Sequence, residues 1–290
     1  MAKTPSNDRA AKAKKQLKAH QRAERRGSYM IVGVCAAVAI LIVGAAAYRP
    51  VMNWWDLRKF NDIELASIGS SADVCGPEIV MPASGEQDHR DSGPIDYTTS
   101  PPIFGPHRSV PATMDRKFYT PQDRPEVEQL VHNVEHGYTF LWYDQTVAED
   151  DELMDEIEGI ATKLRGTDNF RLKFKAVPWN GADENQDGAS WATDFDAGMQ
   201  QALEMAGFPD AEVALEGGAH IAITHWAATN EVDDGGEASE YATTDENVDP
   251  ETGQPGSFGV VQYCSAPSGE ALEDFMLRWP YYNSTEPNGM

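Results

Sequence analysis

Residues 123–143 read DRPEVEQLVHNVEHGYTFLWY, a helix signal followed at once by a strand signal. Asp123 suits the N-cap of a helix with Glu126 three residues later, and Gly137 suits the residue that follows a helix. The run 138–143 is rich in aromatic residues, as strands are. The segment therefore predicts an amphipathic helix that leads directly into a buried strand. Four apolar residues have the i, i+3, i+4, i+7 spacing of the buried face: Val127, Leu130, Val131 and Val134.

The same alternation continues along the chain and predicts the fold class. A helix is expected over 149–165, a strand over 171–179, a helix over 194–206, strands at 219–227 and 258–264, and a helix after Ser268. Within 171–179, Lys173 and Lys175 alternate with apolar residues, which predicts a strand with one exposed face. The order β-α-β-α-β-β-α indicates one mixed α/β domain of thioredoxin-like order. The sequence lacks a Cys-x-x-Cys motif, which argues against thiol redox chemistry.

The longest apolar run is residues 29–48, which hold no charged side chain. At about 1.5 Å per residue, this run spans roughly the 30 Å hydrocarbon core of a bilayer. Tyr29 and Tyr48 at its ends suit the headgroup level. A cleaved signal peptide is the alternative, but AAAYRP (45–50) is an imperfect cleavage site. The run therefore predicts a single transmembrane helix.

Charge is divided very unevenly along the chain. Residues 1–28 hold nine Lys or Arg and two acids, which leaves 14 basic and 45 acidic residues for the remainder. The positive-inside rule predicts a cytoplasmic N-terminus, with the main domain on the extracytoplasmic side of the plasma membrane. The acidic part of the chain after residue 28 repels nucleic acid, so nucleic acid is not expected as a partner. The membrane is the predicted partner, and other membrane proteins stay open as partners.

The cysteines divide between the apolar run and the exported part. Cys35 lies within the run, whereas Cys75 and Cys264 lie beyond it, where oxidising conditions let disulfides persist. We expect a disulfide between Cys75 and Cys264.

Composition also predicts how the chain is divided. Within the α/β domain, a stretch with nine acids and no base separates the last two strands, and it is expected to be solvated and mobile. We assign that insertion no function. The expected parts are a basic cytoplasmic tail (1–28), a transmembrane helix (29–48), a stalk (49–84), the domain (85–282) with its acidic insertion (226–257), and a short tail (283–290).

Two histidines lie on the predicted first helix, away from its apolar stripe. His132 and His136 are four residues apart and therefore neighbours on one helix face. They form either a solvated pair or a site that is covered from outside. Residues 101–107, PPIFGPH, are a candidate cover, because the prolines stiffen the backbone and Gly105 allows a sharp bend that presents His107 to the pair.

These stretches resemble the bacterial family described as domain of unknown function 3105. The resemblance covers about residues 85–280. It implies a domain that is exported or anchored by one N-terminal span, and it implies no established activity. Its motifs here are YTTSPPIFGPH (97–107), PEVEQLVHNVEHGYTFLWYD (125–144) and a C-x-x-P-S-G-E ending (264–270).

Within this resemblance, His107, His132 and His136, together with Glu135, match the histidine pattern of the family. Two departures stand out: Phe104 replaces the usual small hydroxyl residue, and the acidic insertion is additional.

The first functional hypothesis is a metal site with His107, His132 and His136 as ligands. Imidazole nitrogens suit copper or zinc. Glu135 and Met114 are additional candidate ligands, and a methionine favours copper.

Two other hypotheses compete with the metal site. His132, Glu135 and His136 satisfy H-x-x-E-H, the motif of inverted zinc peptidases, in which Glu135 is the general base. That reading needs a downstream carboxylate ligand, for which Glu212 and Glu216 are candidates. Alternatively, the histidines only fasten the proline-rich segment to the helix of a structural or accessory protein. The sequence favours a non-enzymatic protein over the peptidase.

A weaker candidate is a calcium loop at DENQDGASWATD (183–194). Asp183, Asn185, Asp187 and Asp194 have the ligand spacing of such a loop. However, a clear helix does not precede Asp183, and Asp194 also suits the N-cap of the next helix.

Overall fold

The computed structural model describes residues 5–60, 62–83, 87–165, 173–179, 194–243, 247 and 256–288. The chain divides into two compact units, Met1–Arg58 and Lys59–Met290.

The first unit is one long helix, α1 (Pro5–Asp56). Its part from Tyr29 to Tyr48 is long and apolar enough to cross a membrane. Within the described residues this is the only such helix, and its length and position suit a signal anchor as well as a membrane span.

A six-stranded mixed sheet forms the centre of the second unit. Its order is β3-β2-β4-β6-β1-β5. Strand β2 pairs parallel with β3 and antiparallel with β4, and β6 pairs antiparallel with both β4 and β1. Short β5 pairs parallel with β1. The strands are β1 (Ile79–Pro82), β2 (Thr139–Tyr143), β3 (Phe174–Pro178), β4 (Ile221–Ala227), β5 (Tyr241–Ala242) and β6 (Phe258–Cys264).

Helices connect these strands in the predicted order. Apolar residues of α2 and α5 share one buried cluster with sheet residues such as Phe140 and Trp142. The α-helices in the described residues of this unit are α2 (Val127–Glu135), α3 (Gln145–Ala148), α4 (Asp151–Lys163), α5 (Phe195–Met205) and α6 (Gly269–Arg278).

The predicted start of α2 was wrong by three residues. The helix begins at Val127 with Glu126 as its N-cap, and the Glu126 side chain accepts no capping hydrogen bond. The Asp123 carboxylate instead accepts hydrogen bonds from the backbone and side chain of Thr120 and pairs with Arg116. Asp123 therefore closes a turn that precedes the helix. The apolar face was predicted correctly, since Val127, Leu130, Val131 and Val134 are all buried.

Strand β3 is buried on both faces, contrary to the expectation of one exposed face. The segment before α2 covers the predicted outer face, so Lys175 is fully buried and its ammonium donates to the carbonyls of Thr113 and Arg116. Burial lowers the pKa of Lys175 to about 7.

The compact unit begins at Lys59, well before the predicted boundary at residue 85. Residues expected to form a stalk belong to the domain because β1 completes the sheet beside β6. The expected disulfide between Cys75 and Cys264 is present and fixes the same segment to the end of β6.

The described part of the acidic insertion packs against the domain. Its strand β5 covers the edge of β1, and Asp234 forms an ion pair with Arg278 at 3.1 Å. An edge strand needs such a cover, and Arg278 offers a cation to an acidic segment. This part of the insertion therefore contributes a strand and an ion pair to the domain, while most of residues 231–240 are exposed, as expected of a solvated stretch.

Candidate metal centre

A bent segment presents His107 to helix α2. We call residues 97–107 the arm. Gly105 has φ +121°, a conformation that favours glycine, as the predicted bend requires. The Tyr97 hydroxyl donates to the Pro106 carbonyl at 2.7 Å, which fixes the end of the arm. As a result, His107 is completely buried against α2.

The outer face of α2 carries the other predicted ligands. His132, Glu135 and His136 are buried, so of the two alternatives for the histidine pair, the covered site is the one observed. The rings of His107 and His132 have centroids 4.8 Å apart, and those of His132 and His136 are also 4.8 Å apart. The arm thus brings the third histidine to the pair, as the sequence predicts.

His89 is a member of this cluster that the sequence analysis missed. Its backbone forms a parallel bridge with His107, with Arg90 N–H donating to the His107 carbonyl at 2.7 Å. The His89 ring stacks on the His132 ring, with centroids 5.2 Å apart and planes 13° apart. Non-local backbone pairing places this residue, so neither spacing nor periodicity signals it.

Four side chains converge at the covered site. One potential ligand atom from each of His89, His107, His132 and Glu135 lies within 4.8 Å of all the others. Nε2 of His107 lies 3.0 Å from Oε2 of Glu135, and Nε2 of His132 lies 2.9 Å from Nε2 of His136. Donor atoms bound to one ion at about 2.0–2.1 Å lie roughly 2.9–3.4 Å apart, so each of these two separations suits a pair of ligands on one ion. His136 itself belongs to a second group of potential ligand atoms, with Glu135 and Glu286.

Backbone carbonyls fix the tautomers of three histidines. Nδ1 of His107 donates to the Gly105 carbonyl at 3.0 Å, Nδ1 of His132 to the Arg108 carbonyl at 2.5 Å, and Nδ1 of His136 to the Glu286 carbonyl at 2.8 Å. Because a carbonyl only accepts, Nδ1 of each of these rings carries a proton. In the neutral form of each ring, Nε2 then presents a lone pair, as a metal ligand does.

Those lone pairs lack matching donors. Among the described residues, Nε2 of His107 has no hydrogen-bond partner, although the Glu135 carboxylate lies beside it. With Nδ1 protonated in both rings, the hydrogen bond between Nε2 of His132 and Nε2 of His136 at 2.9 Å forms only if one ring carries a second proton. Burial lowers the pKa of His132, so its neutral form is favoured. A buried set of acceptors around a carboxylate is complementary to a cation.

The C-terminal segment supports the end of α2. We call residues 281–288 the strap. Besides accepting from His136, the strap donates from Glu286 N–H to the Glu135 carbonyl at 3.1 Å. Glu286 also joins Glu135 and His136 in a second group of potential ligand atoms, a neighbour that the sequence analysis did not foresee. The predicted tail 283–290 is thus, over its described part, a support of the site.

Aromatic residues close the inner side of the cluster. The Trp226 ring lies edge-on to His107 with centroids 6.4 Å apart, and Phe104 packs against Trp226. Gly259 makes room for Phe104, because a Cβ at this glycine would lie 2.5 Å from the phenyl ring. Phe104, the departure from the family pattern, therefore fills space behind the histidines.

The geometry of the cluster gives little support to the hypothesis of an inverted zinc peptidase. Glu135 is 2% exposed and is in contact with His107, whereas a general base must reach a water molecule and a substrate. Glu212 and Glu216, the proposed third ligands, are exposed and do not belong to either described group of potential ligands.

The remaining predicted ligands lie elsewhere. Met114 is 44% exposed, unlike the buried histidines. Asp183, Asn185 and Asp187 of the proposed calcium loop lie outside the described residues. Asp194 caps α5 by accepting from Asp196 N–H at 2.8 Å, the alternative role predicted for it.

Residues 89–215, which contain all four converging side chains, match the family model described as Protein of unknown function (DUF3105). Over these residues, which are less than half of the chain, the protein is similar to this family. The DUF3105 match begins at His89 and ends before β4, so strands β4 to β6 and the strap lie beyond it. No curated protein and no solved structure matches the chain.

Proposed function

We propose that this protein binds a divalent transition-metal ion, zinc or copper, through Nε2 of His107, His132 and His136 and the Glu135 carboxylate. The observation that carries the proposal is the unpartnered Nε2 of His107, fully buried beside a carboxylate. A metal ion would satisfy this lone pair and neutralise the buried charge together.

The ligand set favours a divalent ion. Three imidazoles suit zinc and Cu²⁺, whereas Cu⁺ prefers the softer sulfur of cysteine or methionine. Glu135 adds a hard oxygen and a negative charge, both of which disfavour Cu⁺. Met114, the additional candidate ligand whose sulfur favours copper, is exposed and does not alter the preference for a divalent ion.

A structural role is the second candidate function. Two of the Nδ1 hydrogen bonds fasten other segments to α2, because His132 donates to the Arg108 carbonyl directly after the arm and His136 donates to the Glu286 carbonyl of the strap. In that case the histidines stabilise the domain without an ion, and the domain acts as an accessory or interaction module of a membrane complex. The two functions differ in whether a chelator changes stability, since only a bound metal contributes free energy of binding.

We further propose that the domain is exported and anchored by α1 with the N-terminus in the cytoplasm. Support comes from the apolar stretch Tyr29–Tyr48, the basic residues before it and the disulfide between Cys75 and Cys264. A metal site on this side of the membrane would receive its ion outside the cytoplasm.

We also infer a thioredoxin-like core. The four predicted strands follow one another along the chain as β2, β3, β4 and β6, and in the sheet they lie in the order β3-β2-β4-β6, with one parallel pair and two antiparallel pairs. The helices come in the matching sequence. Because the chain has no Cys-x-x-Cys motif, such a core would here position histidines on a helix instead of a thiol pair.

Calorimetric titration of the full chain in detergent tests the metal site. After removal of bound metal, Zn²⁺ and Cu²⁺ should each titrate a single tight site in the wild type, and His132→Ala should abolish it. His220→Ala is the matched control, because His220 pairs with Asp144 in the same domain, outside the described ligand groups. Equal binding by the wild type and His132→Ala would refute the site.

A further inference from the structure

One histidine of the cluster differs from the other three in exposure. His89 is exposed to solvent, whereas His107, His132 and His136 are buried. The His89 ring covers both of its neighbours, stacking on His132 and meeting His107 edge-on with centroids 5.0 Å apart. His89 therefore lies between the converging ligand atoms and the solvent.

His89 also differs in how its ring is held. Within the described part of the chain, the His89 ring has no hydrogen bond to a backbone carbonyl, although each of the three buried histidines has one. Such bonds fix the orientation of a ligand ring, and a ring without one rotates more readily. A ligand atom of His89 nevertheless lies within 4.8 Å of those of His107, His132 and Glu135.

The backbone beneath His89 is firmly attached. His107 N–H donates to the Asp88 carbonyl at 3.0 Å, and Ser109 N–H donates to the Asp91 carboxylate at 2.9 Å. These bonds hold the backbone on both sides of His89, whereas its side chain is exposed. Asp88 and Asp91 are exposed on either side of His89 and attract cations towards it.

We infer that His89 is the exchangeable ligand of the metal centre. Its imidazole binds the ion from the solvent side and rotates away when the ion enters or leaves. The site therefore takes up and releases its ion, as a carrier or delivery protein does, instead of holding it permanently. This inference rests on the proposed function, and it adds a ligand and a role that the buried histidines alone do not give.

The test compares the release of Zn²⁺ from the full chain in detergent, loaded with zinc and mixed with an excess of a chromogenic chelator. The wild type should release zinc within seconds to minutes. His89→Ala should release it at least about ten times faster, because the ion loses a ligand. His89→Phe keeps a stacked ring without a ligand nitrogen and should be as fast as His89→Ala. His220→Ala should match the wild type.

Each contrary result has a distinct meaning. Wild-type rates in both His89 variants would overturn the inference while the metal site stands. Fast release from His89→Ala with wild-type release from His89→Phe would show that the ring only covers the ion, which also overturns it. Retention of zinc by the wild type for a day would show a permanent site. If the wild type binds no zinc, the proposed function fails, and the inference fails with it.

Discussion

Replacing Glu135 by glutamine should have opposite effects on stability without metal and with it. In the metal-free chain, the Glu135 carboxylate lies 3.0 Å from a His107 Nε2 that has no hydrogen bond. A glutamine amide at this place donates to Nε2 and removes a buried charge. An unsatisfied buried polar group costs about 1–3 kcal/mol, so Glu135→Gln should raise the free energy of unfolding by about that amount.

The same substitution should weaken the response to zinc. A ligand present at about 100 times its Kd stabilises a protein by about 2.7 kcal/mol. For a unit the size of Lys59–Met290, about 1 kcal/mol corresponds to roughly 2–4 °C in Tm. We therefore expect zinc to raise the wild-type Tm by about 5–11 °C. Glu135→Gln should begin about 2–12 °C higher in chelator and gain much less from zinc.

Thermal unfolding of the full chain in detergent, followed by tryptophan fluorescence with chelator or with zinc, measures both effects. Glu126→Gln is the matched control, since Glu126 precedes the same helix and its side chain is 64% exposed. Its Tm should change by no more than about 2 °C. The contrary result is that Glu135→Gln lowers the free energy of unfolding by about 3–5 kcal/mol in chelator and that zinc leaves the Tm of the wild type unchanged. His107 and Glu135 would then be a buried ion pair that stabilises the fold, and the metal reasoning would be refuted.

Three further predictions concern the scaffold. Gly137→Ala should lower the free energy of unfolding by at least about 1 kcal/mol, because Gly137 has φ +82° and a Cβ there would meet the Tyr281 carbonyl. A denaturant unfolding curve equal to that of the wild type would contradict this. Burial lowers the pKa of Lys175 to about 7, so between about pH 7 and 10 the unfolded chain binds more protons than the folded chain, and the free energy of unfolding should rise with pH. Lys175→Met should flatten that rise in denaturant titrations at several pH values. An unchanged slope would show that burial does not lower this pKa. Reducing the disulfide between Cys75 and Cys264, 189 residues apart, should lower stability by up to about 5 kcal/mol in denaturant titrations, and a midpoint that reduction leaves unchanged would contradict this contribution.

Local sequence signals predicted the elements that position the site. The apolar spacing from Val127 to Val134 identified the buried face of α2 and hence the outer position of His132 and His136. Gly105 and its neighbouring prolines predicted the bend that delivers His107. These features depend on interactions within a few residues, which a single sequence displays directly.

Features that depend on distant pairing were missed. His89 reaches the site through a bridge to His107, and β1 joins the sheet through a partner far along the chain. Alternation in β3 identified which face Lys175 occupies, but it did not show that the segment before α2 covers this face. The hydrogen bond from His136 to the Glu286 carbonyl joins residues that are 150 positions apart in the sequence, so no local pattern predicts it.

The central claim is that buried imidazoles hold a metal ion in the native protein. Elemental analysis of the full chain, purified in detergent without chelators, tests it most directly. The wild type should carry zinc or copper at close to one ion per chain, and a His107→Ala, His132→Ala double variant with unchanged far-ultraviolet circular dichroism should carry neither. Equal metal content in the two proteins, or a wild type free of metal even after incubation with both ions, would contradict the claim.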